Sequence, residues 1–464
     1  MEQKLTQQVK LVTFGQQLSY RVLDQPMGGL PPRESAWTRG SAGETCAVGS
    51  VSVRSATRMD AGTLDRYPGG LPDRTPARPS GPESTIGFHF WATKRPCHSV
   101  DEGHRVSALE KGLPGFAKTA RAHATLATMQ VYEVHPGSTP PDGLRRAARP
   151  DPQPGPREVV IRVRATSLNY RDHMIANGHY FTPVTRPTIP LSDGAGEVTA
   201  VGAGVTRFQK GDRVAGTFFQ VWFDGSPSRR HPALGVPLDG VLAESVVLHE
   251  QGVVKIPDHL SFEEAATLPC AGVTAWNALM FSGARVKPGD TVLCLGTGGV
   301  SMFGLQFAVA AGARVIVTSS SDEKLELAAG LGASNGINYK RTPEWEKEVA
   351  RLTGGRGVEH ILEIGGAGTL NRSFEALGFG GQVALIGFLA GQAATINPIP
   401  LMMKGGCLRG IGVGSTAMFE AMNQAIAVNQ IKPIVDKVFS FEQAAEAYAC
   451  LAGGDFVGKI VITV

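Results

Sequence analysis

The chain has 464 residues, 42% hydrophobic and 19% charged, enough to bury the core of a soluble globular protein of roughly two to three domains. Its net charge of +4 is uneven: residues 1–128 hold 16 Lys and Arg against 11 Asp and Glu, whereas the remainder holds 29 against 30. The larger part therefore has no basic excess to suggest nucleic acid, and no apolar run is long enough to suggest a membrane span.

In chain order, Met1–Lys10 is polar rather than signal-like. Residues 1–128 are about one-fifth Pro and Gly. Gly28–Arg33 and Tyr67–Pro82 hold turn formers with no apolar period, and only Leu5–Val12 and Ile86–Trp91 have the makings of a strand or coil. Cys97 and His98 with His104 are too sparse for a zinc site. This part is expected to be a disordered or non-native extension, with Met129 as the functional beginning. The six cysteines are scattered without paired spacing, which predicts reduced thiols and a cytoplasmic protein.

From Met129 the texture changes. Met129–Val134 alternates like a first strand, and Glu158–Ala165 follows the turn at Gly155-Pro156. Gly194–Gly202, Gly211–Val214, Leu242–Leu248 and Gly252–Ile256 continue the series of short strands, which predicts a small, partly open β-barrel. Ser261-Phe262-Glu263-Glu264 is a capping box, and the periodicity turns helical there. Strands at Thr291–Leu295, Ala313–Thr318, Ile337–Tyr339, Val358–Ile364, Val383–Phe388 and Leu408–Val413 then alternate with helices. That is the pattern of a doubly wound parallel sheet, a Rossmann domain. Ser440–Leu451 reads as another boxed helix and Gly458–Val464 as a terminal strand returning to the barrel. The expected organisation is α/β, with a catalytic barrel over 129–251, a nucleotide domain over 252–415 and a return over 416–464.

The chain is organised around Thr291–Ser301, where a buried strand, a Gly turn and a helix follow one another as a dinucleotide-binding turn requires. Gly296 permits the sharp turn and Gly298 lets the backbone approach a pyrophosphate at the helix N-terminus. Ser301 stands where the third glycine of the fingerprint would be. The second strand ends in Ser319-Ser320-Ser321 without an acid for the ribose hydroxyls, and Lys324 follows. A 2′-phosphate would be repelled by an acid there and attracted by Lys324, so NADPH is favoured over NADH, which stays possible. The serines capping the next helix is the alternative reading.

Several phrases, in this order and spacing, carry a resemblance: Ser167–Asp172, Gly196-Glu197-Val198 with Val201-Gly202, Lys210–Val214, Ala271–Ala275, the Gly turn and Gly458–Val461. From Met129 to Val464 the chain resembles the medium-chain dehydrogenase/reductase superfamily, most closely its zinc-independent quinone oxidoreductase and enoyl reductase branch. The resemblance implies a GroES-like catalytic barrel beside the Rossmann domain, and a homodimer formed through Leu408–Val413. It implies cofactor contacts from Thr274, Gly296, Gly298, Gly299 and Val300, from Ser319, Lys324 and Tyr339 at the adenosine phosphate, and from Gly387, Phe388 and Leu389 near the nicotinamide.

At the positions of the catalytic zinc ligands of related alcohol dehydrogenases the chain has Asn169, Ser192 and Cys270, so no metal is expected. Cys270 reads as a small buried hydrophobe. The chemistry implied is hydride addition to an activated small-molecule acceptor: a quinone, enone or enoyl thioester. By resemblance Tyr180 is the proton donor and Asn169 holds nicotinamide and substrate, its amide facing a developing oxyanion. Asp172 is read as orienting local backbone, and His173 and His179 as surface or edge residues. Phe218–Leu238 and Leu389–Lys404 are expected to shape the pocket. Two other functions fit the same residues, a zinc-free carbonyl or alcohol oxidoreductase and a non-enzymatic NADPH-binding protein.

Overall fold

The computed structural model describes residues 9–14, 17–22, 127–137, 143–227 and 231–464. In the first of two compact units, β1 (Val9–Phe14) pairs antiparallel with β2 (Gln17–Val22). The rest of the expected extension, including Ile86–Trp91, Cys97, His98 and His104, lies outside the described residues up to Ala127.

In the second unit, Pro114–Val464, β3 (Thr128–Val134) is paired along its length by β4 (Leu144–Pro150). β4 carries three arginines and little apolar pattern, which is why its sequence did not read as a strand. The hub is β5 (Glu158–Ser167), rich in Val and Ile, with only alternate positions exposed over Arg162–Arg164. It pairs antiparallel with β6 (Asp193–Val201) on one side. On the other side β8 (Ser245–His249) covers its first half and β17 (Lys459–Thr463) its second half. β7 (Arg213–Gly216), β9 (Val253–Lys255) and β16 (Val435–Ser440) complete this seven-stranded sheet. The Tyr132 N–H donates to Leu242 O, and Val134 bridges to Thr188, drawing β3 over the sheet as one wall of the expected partly open barrel. β9 lies beyond residue 251, where the barrel was expected to end.

The second sheet is wholly parallel, in the order β12-β11-β10-β13-β14-β15. Its strands are β10 (Thr291–Leu295), β11 (Arg314–Ser319), β12 (Asn335–Asn338), β13 (Val358–Glu363), β14 (Leu377–Leu385) and β15 (Cys407–Gly410). This is the Rossmann order, and the strand sequence reverses between β10 and β13, which opens a crevice at their C-terminal ends. Every residue of β10 is buried, as a strand covered by helices on both faces requires.

One apolar core joins the two sheets. Ala165, Ala195, Ala215 and Phe218 of the barrel pack in the same cluster as Val292, Phe303, Phe307 and Val317 of the parallel domain. Burying each Phe contributes about 2–3 kcal/mol, so this shared core holds the cleft between the sheets in one geometry. The helix after β10, α4 (Gly299–Ala310 in the numbering that starts with α1, Tyr170–Ala176, α2, Phe262–Ala265, and α3, Val273–Trp276), lies directly on the sheet. A Cβ at Gly304 would stand 2.1 Å from Leu362 Cδ1. The close helix–strand contact therefore falls at Gly304, while Ser301 is fully buried and donates its hydroxyl to Leu295 O at 2.6 Å. Gly304→Val is expected to overpack this contact and lower stability by about 2–3 kcal/mol, read as a fall in the urea midpoint at unchanged slope.

Candidate functional site

The site is made where three neighbouring strands end together. Ser167 at the end of β5 pairs with Asp193 at the start of β6 and with Val461 of β17, whose first residue is Lys459. Asn169 follows β5 directly and precedes α1. The Thr166 hydroxyl donates to Asp193 O at 2.6 Å, and the Ser167 hydroxyl donates to Ala266 O at 2.9 Å, tying the strand ends to the segment after α2. That segment continues as a wide π-type turn, Leu268–Gly272, which carries Cys270; such turns recur at functional sites.

Asn169, Ser192 and Cys270 come together around two buried charged residues, Asp193 and Lys459. Ser192 Oγ donates to Asp193 Oδ1 at 2.6 Å and the Cys270 N–H donates to Asp193 Oδ2 at 3.1 Å. Lys459 Nζ donates to Leu168 O and to Asn169 Oδ1, the latter at 2.6 Å, and stands 3.8 Å from Asp193 Oδ2. Burying an ammonium is costly unless it is paired and hydrogen-bonded, and these three oxygens meet that condition. Burial and the neighbouring Asp193 carboxylate push the Cys270 thiol far above its usual range, only partly offset by Lys459. An amide, a hydroxyl and one thiol, beside an ammonium that already takes the Asp193 carboxylate as its partner, do not make the three anionic or imidazole ligands a catalytic zinc needs.

Beside this cluster Arg171 and Asp172 are buried on α1. Asp172 Oδ2 accepts the Asn169 N–H at 2.8 Å, the backbone role expected of it. Desolvation raises its pKa to about 6, with Arg171 opposing the rise. Arg171 donates from Nη1 to Leu234 O at 3.0 Å, and its guanidinium lies 5.0 Å over the Tyr180 ring and 4.7 Å over that of Phe218. Nε of Arg171 reaches the Tyr180 hydroxyl at 3.4 Å, so a buried cation fixes both ring and hydroxyl. His173 is half-buried and His179 exposed.

The residues read as cofactor contacts gather at the C-terminal ends of the parallel strands. Gly296 has φ +71°, left-handed backbone open to glycine, and Gly298 precedes α4 with no atom within 4 Å of where a Cβ would be. That open backbone at a helix N-terminus fits a pyrophosphate. Gly299 and Val300 form the first turn of α4. Thr274 is buried on α3 and donates to Cys270 O at 2.6 Å. Ser319 ends β11, and the Tyr339 N–H donates to Ser319 O at 3.0 Å, leaving a partly exposed ring. Gly387, Phe388 and Leu389 lie beyond β14, and the Phe388 ring meets that of Phe181 at 5.5 Å. Tyr180 packs on Phe181 in turn, so the neighbour of Tyr180 touches the loop after β14.

Lys324 Nζ sits 3.1 Å from Asp455 Oδ1 and donates to Phe456 O, and Ser321 caps the helix α5 (Asp322–Gly330), the capping role that the alternative reading gave the serines. A cleft of about 1170 Å³ is lined by Tyr180, Phe219, Trp222, His231, Phe281 and Arg409, among others. Its second wall includes strand β15, and neither the Asn169, Cys270 and Lys459 cluster nor Leu389–Lys404 lines it. In Leu389–Lys404, Leu389, Ile399, Met402 and Met403 are exposed while Ile396 and Leu401 pack on the core of the parallel domain. Of the site residues read from sequence, Tyr180 lies on this wall.

Lys459 stands in the sequence only inside the phrase Gly458–Val461, and Asp193 only as the residue after Ser192. Glu363 drew no attention at all. It ends β13 fully buried and accepts hydrogen bonds from Gly365 N, Gly366 N, Thr369 Oγ1 and Ser373 Oγ, which shapes the loop facing Gly387. No sequence signal marks a buried acid whose partners are loop N–H groups. The thiol environments give a direct check. At pH 8 half-buried Cys270 is expected to resist iodoacetamide while exposed Cys407 is carbamidomethylated, as read by peptide mass spectrometry; equal labelling would contradict the raised pKa of the Cys270 thiol.

The geometry agrees with comparisons to known proteins. Residues 299–428 match the zinc-binding dehydrogenase family and residues 155–258 the alcohol dehydrogenase GroES-like domain. The chain is 46% identical over 341 residues to a zinc-type alcohol dehydrogenase-like protein of Schizosaccharomyces pombe, covering 72% of this chain and 99% of the relative. It is 32% identical to a quinone oxidoreductase of Pseudomonas aeruginosa, covering 67% and 92%. The solved structure of an NAD-dependent alcohol dehydrogenase superposes with a TM-score of 0.67 at 34% identity, covering 72% of this chain and 99% of that one. With the Gly turn, the strand order and the barrel in hand, the chain belongs to the medium-chain dehydrogenase/reductase superfamily and is an oxidoreductase using a nicotinamide cofactor.

Proposed function

We propose that this protein uses NADPH to reduce an activated acceptor (a quinone, enone or enoyl thioester) without a catalytic metal. The observation that carries the reading is the Lys459 ammonium seated against Asn169 and Asp193, beside Ser192 and Cys270, the positions that by resemblance correspond to zinc ligands in related alcohol dehydrogenases. Ordinary alcohol oxidation relies on a Lewis acid to stabilise an alkoxide. An acceptor already polarised by conjugation asks less of the protein: a donor for the oxygen that gains charge and a proton for the carbon or oxygen left anionic.

The residues divide that work. Gly298 and the first turn of α4 would take the pyrophosphate, and Thr274, Phe388 and Leu389 would flank the nicotinamide, which supplies a hydride when bound. The Asn169 amide would face the acceptor oxygen. Tyr180, on the cleft wall with its hydroxyl held by Arg171, would donate the proton. The aromatic lining of the cleft suits a planar, conjugated acceptor. Edge strand β15, exposed at all four residues, offers backbone to the same strand of a second copy in a homodimer.

The preference for NADPH rests on Ser319, Lys324 and Tyr339 at the strand ends. A phosphate there has to draw Lys324 from Asp455, whose carboxylate is 93% exposed and held weakly. Lys324→Ala is expected to weaken NADPH about tenfold or more, as measured by fluorescence titration, and to leave NADH nearly unchanged. Asp455→Asn is expected to tighten NADPH by about two- to fivefold, because it frees the lysine. Equal effects on both cofactors would remove Lys324 from the phosphate site.

Screening NADPH oxidation against quinones, enals and enoyl thioesters tests the acceptor. With a responsive enone, Tyr180→Phe is expected to lower kcat on the order of 10²-fold with cofactor affinity intact. Unchanged turnover would assign the proton to water. The relatives named as alcohol dehydrogenases favour a second reading, reversible carbonyl reduction. Turnover of alcohols in place of conjugated acceptors would establish it, and stoichiometric zinc would overturn the metal-free mechanism.

A further inference from the structure

Lys459 touches both halves of the site. A Cβ at Gly299 would come 2.7 Å from Lys459 Cδ, so the lysine stem lies along the first residue of α4, and its tip reaches Leu168 O and Asn169 Oδ1. The backbone places it there: Gly458 bridges to Gly298, and the Gly458 N–H donates to Thr297 O at 2.9 Å. The opposite end of the Asn169 amide is unlike its oxygen. Nδ2 is buried and has no hydrogen-bond partner, a state that costs stability and calls for an explanation.

We propose that Lys459 is a positioning residue for the reduction. It grips the Asn169 carboxamide by its oxygen, so that the NH2 group is the unspent donor held ready for the acceptor's oxygen. The inference rests on the reading of Asn169 given above. The charge dictates the orientation of the amide: flipped, it would set two N–H donors against an ammonium, with no acceptor between them. The ammonium also polarises the amide, making Nδ2–H a stronger donor than a free asparagine offers. Asp172 holds the Asn169 backbone from the other side, so the side chain has little freedom to reorient. Asp193 balances the lysine charge, and Arg171 balances Asp172, leaving the donor in a pocket without net charge.

The full-length chain supplies the test. Lys459→Met is expected to lower kcat about 10–100-fold, with KM for the acceptor and the dissociation constant for NADPH within about threefold of wild type. Lys459→Arg, which keeps a donor and a charge, is expected to recover part of the loss. In an Asn169→Ala background Lys459→Met should have no further effect, since the lysine acts through the amide. Additive losses, or a Lys459→Met enzyme within twofold of wild type, would overturn the proposal. If Lys459→Met does not fold, Asn169→Asp decides: it keeps an acceptor for the lysine and removes the NH2 donor, so turnover must fall as far as in Asn169→Ala, and retained turnover overturns the proposal. A readout free of catalysis uses cofactor-free protein labelled with ¹⁵N-asparagine. The side-chain amide signal absent in Asn169→Asp is expected to shift in Lys459→Met or Lys459→Arg; an unmoved signal overturns the contact. A wild-type protein silent toward every acceptor would refute the proposed function, while the amide signal still decides the lysine–asparagine coupling.

Discussion

Everything in the site depends on one buried cation. Lys459 enters the interior where β5, β6 and β17 end side by side, and each of those ends contributes to its surroundings. An ammonium at 3% residue exposure survives only because Leu168 O, Asn169 Oδ1 and Asp193 converge on it. That requirement binds the C-terminal strand to the barrel hub and sets the direction of an amide in the cleft. Residues from three distant parts of the chain thus become a single polar cluster.

The cluster is enclosed by a core that does not distinguish the two sheets. Barrel alanines and Phe218 share a cluster with β10 and α4, so the cofactor turn and the polar cluster are carried on one packed body. The crevice at the β10–β13 reversal faces that cluster, and the Phe181–Phe388 contact spans the cleft from the other side. A site assembled from rigid strand ends can hold donors within the narrow tolerance that transition-state stabilisation demands.

Much of this was legible in the chain itself. The buried run Thr291–Leu295 with its glycines announces a strand, turn and helix, because only that order aims helix N–H groups at a phosphate. The β-branched hub at Glu158–Ser167 and the alternation after it mark the barrel. Where the reading fell short, the local pattern was weak or ambiguous. β4 is arginine-rich and is recognised only through its pairing with β3. Ser301 looked like the packing position of the third glycine, yet the closest helix–strand approach is three residues on, at Gly304. Leu389–Lys404 carries no informative motif, and its division between exposed Met402 and Met403 and core-packed Ile396 and Leu401 appears only in the fold.

The sequence by itself determined the two kinds of sheet and the cofactor turn, since periodicity and glycine placement are local properties. Only the tertiary structure decided which groups meet. Lys459 lies 290 positions from Asn169 and Lys324 lies 131 from Asp455, and nothing along a chain reveals that a distant charge will be desolvated against a given amide or carboxylate. Those pairings follow from strand order and packing, because a buried charge takes its partners from whatever the fold brings within reach.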